Sequence, residues 1–115
     1  MQAIIDLISE SEVIMELFYT QDAGVMRVSI VGTIQNDDIP VFKDRLLELL
    51  EMDFDEVVFD LSLLTFLCSS AIGRLLLFNK KLVDIGRSMC VQGVSTPVME
   101  MMQFIKMDLL FPIKR

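Results

Sequence analysis

One stretch constrains this chain more than any other: between residues 56 and 86 a strand pattern gives way to a helix pattern, with two serines at the change. Glu56-Val57-Val58-Phe59-Asp60-Leu61 is β-branched and aromatic and is bounded by charge, which predicts a central strand covered on both faces. Ala71, Ile72, Leu75, Leu76, Asn79, Leu82 and Val83 then recur at helical spacing until Gly86 ends the run. Met89-Cys90-Val91-Gln92-Gly93-Val94 follows as a further strand, which completes a β-α-β unit. Such a unit implies right-handed crossovers and helices packed on a sheet.

The flanking sequence extends the same plan. Residues 14 to 19 and 25 to 31 form two short alternating runs around Thr20-Gln21-Asp22-Ala23-Gly24, a hairpin signal with glycine where positive φ is needed. In Asn36-Asp37-Asp38-Ile39-Pro40, Asp38 is placed to cap and Pro40 to occupy a first turn, and the helix continues through Phe42, Leu46, Leu47 and Leu50. Thr96-Pro97 opens another helix running to about Lys106, and a short apolar strand lies near Phe111-Pro112-Ile113. The expected class is α/β: a single domain with a mixed central β-sheet and helices packed on it. At 115 residues the chain is long enough for one core and too short for two domains.

Composition narrows the function. Hydrophobic residues make up 53% of the chain, yet no apolar run approaches the 18 or so residues of a membrane helix, so no membrane insertion is expected. No basic flank precedes the first apolar residues, where Asp6, Glu10 and Glu12 stand instead, so a secretion signal is not expected and a cytoplasmic location is. Seventeen acidic against ten basic residues leave a net charge of −7, which argues against nucleic acid as a direct partner. Cys68 and Cys90, with no histidine in the chain, make a poor metal site and are expected to be reduced. No cofactor is expected, because no glycine-rich phosphate cradle occurs among only five glycines.

A serine at a helix start has three readings: a cap, a nucleophile or a phosphorylation site. Ser69 or Ser70 falls at or next to the N-cap, where its oxygen can accept from an unpaired backbone N–H. Nucleophilic attack needs an adjacent base, and here histidine is lacking while Lys80 and Lys81 lie about three turns further along the helix. No catalytic residues are therefore assigned. A phosphate, by contrast, would meet unpaired N–H groups and the positive end of the helix dipole.

The segment Phe66-Leu67-Cys68-Ser69-Ser70-Ala71-Ile72-Gly73 resembles the phosphorylation loop of STAS domains, the family of bacterial anti-sigma-factor antagonists. Val28-Ser29-Ile30-Val31-Gly32 resembles the family's early strand, Thr96-Pro97 the start of its later helix and Phe111-Pro112-Ile113 its late strand. These pieces keep the family's order over roughly residues 13 to 113. The family pattern has Asp before the modified serine and Gly two residues after it, where this chain has Cys68 and Ala71.

The resemblance implies a protein that is not an enzyme and acts by partner switching. Its partners would be an anti-sigma factor with serine kinase activity, which binds the unmodified loop, and a phosphatase. Ser69 matches the phosphorylated position, with Ser70 the alternative. The implied docking surface comprises Cys68, Ser69, Ser70, Ala71, Ile72 and Arg74, with Gln35 and Asn36 after the early strand and Leu77 and Phe78 further along the helix. The other reading is a constitutive scaffold or accessory subunit of a signalling or transporter complex, without phosphorylation.

Three further expectations concern packing. The run Leu75-Leu76-Leu77-Phe78 cannot face inward throughout, so Leu77 or Phe78 should be exposed or covered by a partner. Val98, Met101, Met102 and Ile105 have core spacing, which leaves Met99 outside. Residues 1–12 form an extension ahead of a STAS domain at 13–115, and Ala3, Ile4, Leu7 and Ile8 give it one apolar side as a short helix. That side is expected to cover surface that family members cover with a final helix, or to meet a second copy in a homodimer.

Overall fold

The computed structural model describes residues 15–114; the extension at residues 1–12 lies outside them. The chain opens with a hairpin of β1 (Glu16–Asp22) and β2 (Val25–Ile34), paired antiparallel from Glu16↔Val31 to Asp22↔Val25. The connection is only Ala23-Gly24, with φ of 51° and 83°, so the strands reach further into the turn than the alternation suggested. Two positive-φ residues match the right-handed twist of the strands. A side chain at Gly24 would also meet the Asp55 carboxylate at 2.8 Å.

A 3₁₀ turn at Asn36–Asp38 leads into α1 (Ile39–Leu50), with Pro40 in its first turn. Next come β3 (Glu56–Leu61), β4 (Leu64–Leu67), α2 (Ser69–Asp84), β5 (Ser88–Val94), α3 (Thr96–Phe104), a second 3₁₀ turn at Met107–Leu109 and β6 (Ile113–Lys114). The sheet order is β1-β2-β3-β5-β6, with β4 added along the last part of β2. Every pairing except β1 with β2 is parallel, which gives the mixed sheet expected of the alternating pattern.

The core joins the helices to one face of the sheet. Phe42, Leu46 and Leu49 enter it from α1, and Ala71, Ile72, Leu75, Phe78 and Leu82 from α2. Met26, Val28 and Ile30 of β2 and Val57, Phe59 and Leu61 of β3 meet them. Val58 points the other way and is buried too, beside Arg27 and Cys90 in the register, as a central strand requires. Among the described residues no polar side chain is buried, and the ion pairs Arg45–Glu48 and Lys80–Asp84 are both exposed. Apolar burial therefore carries the stability, since exposed pairs contribute at most about 1 kcal/mol.

The α2 C-terminus closes as the sequence predicts. Gly86 takes φ of 79°, its N–H donates to the Val83 carbonyl at 3.0 Å, and the Arg87 N–H donates to the Leu82 carbonyl at 2.8 Å. Arg87 then lays its guanidinium 4.6 Å above the Phe54 ring and donates to the Met52 carbonyl at 2.9 Å, which ties this end of α2 to the end of α1.

Two expectations change. Met99 is buried with Val98 and Met102, which share one face of α3, while Met101 lies off that face and is half-buried; Ile105 is exposed because α3 stops at Phe104. The final strand lies at Ile113–Lys114, with Phe111 buried ahead of it. The sequence reading also passed over β4, whose four residues are too few to show a period.

Candidate functional site

The strand-to-helix loop is fixed by backbone geometry. Gly32, Thr33 and Ile34 of β2 pair with Leu64, Phe66 and Leu67 of β4 across a shift in register. The Thr65 hydroxyl donates to the Gly32 carbonyl at 3.1 Å, and the Ser95 hydroxyl donates to the Leu64 carbonyl at 2.6 Å. The chain therefore enters α2 with β4 clamped on both sides.

Helix α2 begins one residue earlier than the serines suggested. Its N-cap is Cys68, with extended φ of −76° and ψ of 165°, and no side chain caps it. Ser69 and Ser70 are thus the first two helical residues, next to the N-cap as the sequence predicts, and neither is itself the cap. The displacement follows from the Cys68 N–H, which donates to the Ile34 carbonyl at 2.9 Å and so ends the β-type backbone at Cys68. The first helical bond runs from the Ile72 N–H to the Cys68 carbonyl at 3.2 Å. The N–H groups of Ser69, Ser70 and Ala71 precede it and have no carbonyl of their own helix to meet.

The residues singled out in the sequence divide into three sets. Ser69, Ser70, Gln35 and Asn36 are exposed and lie at one end of the sheet, where the Ile34–Cys68 bond joins the segments that carry them. Gln35 is held in a tight turn: its backbone N–H donates to the Asp38 carboxylate at 2.8 Å, and the Asp38 N–H donates back to the Gln35 carbonyl at 2.9 Å. Asp38 therefore braces this turn and not α1. Cys68 and Arg74 are half-buried.

Ala71, Ile72 and Phe78 form the third set, and they are interior. Phe78 is only 2% exposed and meets Phe59 edge-on, with centroids 5.9 Å apart at 72°, so it cannot touch a docking partner without unfolding. The apolar run resolves in favour of Leu77, which is 41% exposed. The difference is angular: Phe78 continues the line of Ala71, Leu75 and Leu82 at helical spacing, and Leu77 lies off it.

Further exposed apolar residues are Leu63 just before β4, Phe66 within it, and Phe104, Leu109 and Leu110 around the end of α3. A run such as Leu109-Leu110-Phe111 carries the same signal as Leu75 to Phe78, since a short turn cannot bury every member.

Both cysteines are unpaired thiols. Cys90 stands on the sheet face away from the core, where burial first and then the neighbouring Glu56 carboxylate push its thiol above the ordinary value. Among the described residues no group of three or more Cys, Asp or Glu is placed to hold a metal ion. No described helix is long and apolar enough to cross a membrane.

Sheet order, helix placement and the clamped loop at the head of α2 define the class: an α/β domain whose strand-to-helix turn is presented to solvent. The chain belongs to the STAS family, for the family model described as "Mlab, STAS domain" matches residues 17–112. An anti-sigma factor antagonist from Mycobacterium paratuberculosis has the same fold, with a TM-score of 0.80 at 21% identity over 88% of this chain and 86% of that one. The anti-sigma factor antagonist SpoIIAA in its unphosphorylated form gives 0.72 at 12% identity, over 85% of this chain and 87% of that one. The Bacillus cell fate determinant SpoIIAA in the phosphorylated form gives 0.66 at 12% identity, over 87% and 90%. No curated protein matches the sequence.

Proposed function

We propose that this STAS domain is a non-enzymatic, cytoplasmic anti-sigma-factor antagonist that works by partner switching through Ser69. The observation that carries the reading is the exposure of Ser69 as the first residue of α2, on a loop whose backbone is fixed on both sides. Unmodified, the loop, Gln35, Asn36, Arg74 and Leu77 dock on an anti-sigma factor with serine kinase activity. Phosphorylation of Ser69 adds about −1.5 to −2 charges to that surface and breaks the complex by repulsion and desolvation, until a phosphatase removes the group. The unpaired N–H groups of the first turn and the helix dipole offset the added charge within the domain, so the fold is retained in both states. The likeness to both the unphosphorylated and the phosphorylated form of SpoIIAA supports such a two-state use of one fold.

A second reading, a constitutive scaffold, is favoured by Cys68 at the N-cap and the buried Ala71, which stand where the family pattern has Asp and Gly. The two separate in a capture experiment from the protein's own cells. A switch requires Ser69→Ala to retain the partner and Ser69→Asp to lose it. Equal capture by both variants supports the scaffold.

A further inference from the structure

Helices α1 and α2 leave a cleft between them lined by the apolar Leu46, Leu47, Leu50, Leu77 and Phe78 and by the basic Lys43, Arg74 and Lys81. Leu47 and Leu77 are 39% and 41% exposed, so the apolar lining is incompletely covered. Three of the chain's ten basic residues meet here in a molecule of net charge −7, and among the described residues none of the three pairs with a carboxylate. The segment ahead of β1 has the opposite chemistry. Ala3, Ile4, Leu7 and Ile8 share one side at helical spacing, Asp6, Glu10 and Glu12 are acidic, and no Lys or Arg precedes Arg27.

We propose that residues 2–12 seat in the α1–α2 cleft of their own chain, with the apolar side on Leu47, Leu50 and Leu77 and the carboxylates among Lys43, Arg74 and Lys81. An amphipathic segment laid in an apolar groove with complementary charge at the rim is a common mode of docking. As a helix, residues 2–12 are about 17 Å long, and residues 13–14 join them to Met15, which packs against the core. Covalent attachment also gives this segment a high effective concentration at the cleft, which an acidic partner in solution lacks. Arg74 and Leu77 also belong to the surface proposed above for the anti-sigma factor, so the segment occupies the cleft of the unpartnered chain and is displaced when the partner docks; its seating does not depend on phosphorylation of Ser69.

Methyl NOE spectra of the full chain, labelled at Ile and Leu, test it. The methyls of Ile4, Leu7 and Ile8 are expected to show NOEs to those of Leu47 and Leu77. A filtered mixture of labelled and unlabelled chains should show none of these between molecules. The full-chain double variant Lys43→Glu/Lys81→Glu should lose them while NOEs among the core methyls of Ile72, Leu75 and Leu82 and their neighbours persist. NOEs from Ile4, Leu7 and Ile8 to a different surface, or to no described residue, overturn the proposal. NOEs found only between molecules give the cleft to a second copy, and NOEs that survive charge reversal remove the electrostatic basis; either result overturns it as well.

Discussion

The backbone N–H of Cys68 donates to the carbonyl of Ile34 at 2.9 Å, fastening the start of α2 to the end of β2. This one bond sets where the helix begins, and so decides that Ser69 and Ser70 are first-turn residues with exposed side chains. Cys68 holds the extended backbone of an N-cap but brings a thiol that makes no capping bond. A hydroxyl of nearly the same size there can accept from the N–H two or three residues on. Cys68→Ser is expected to raise stability by about 1 kcal/mol, measured as the urea midpoint at unchanged slope. An unchanged or lower midpoint would mean that thiol packing outweighs the cap.

Neither serine holds α2 in place. Ser69→Ala and Ser70→Ala are each expected to change stability by less than about 0.5 kcal/mol, as for exposed substitutions away from special contacts. Thermal unfolding checks this. A loss of about 1 kcal/mol from either would restore the capping role that the structure assigns to neither.

Leu77 and Phe78 are neighbours in sequence and opposites in consequence. Phe78→Ala removes a ring that is 2% exposed and is expected to cost about 3–5 kcal/mol. Leu77→Ala should stay within about 0.5 kcal/mol while weakening capture of the partner. Denaturation of both variants, with capture by the Leu77 variant, tests the division; a large stability loss from Leu77→Ala would contradict it.

Cys90 reports on the sheet face away from the core. Its thiol is pushed up by burial and by Glu56, so the reactive thiolate is scarce at pH 8 and alkylation should be slower than for a free cysteine of pKa about 8.5. Because the folded pKa is raised, stability tied to this thiol is fully present below the unfolded pKa and is lost as pH rises through the folded one. Glu56→Gln should bring the pH midpoint of alkylation down. A midpoint unmoved by Glu56→Gln would remove Glu56 as a cause.

Much of the fold is legible in the sequence because period and punctuation agree. Val57, Phe59 and Leu61 alternate into the core, α2 keeps Ala71, Ile72, Leu75 and Leu82 at helical spacing, and Gly86 ends it with positive φ. The cap falls on Cys68 and not on a serine because the Cys68 N–H donates to the carbonyl of Ile34, distant in sequence, which overrides the preference of serine for the cap. Period alone could not choose between Leu77 and Phe78, which differ by one helical step; contact with Phe59 decides it. Ala71 and Ile72 belong to the family's loop by motif, yet the first turn of α2 directs both into the core. The motif locates the loop, and only the packing tells which of its side chains a partner can reach.

Partner switching through Ser69 is tested most directly by intact-mass spectrometry of the protein from its own cells, growing and stressed, with fragmentation across Leu67 to Arg74. A phosphate on Ser69 whose occupancy changes with condition is expected. A loop unmodified in both conditions would contradict partner switching at this residue and leave a STAS domain that holds its partner without it.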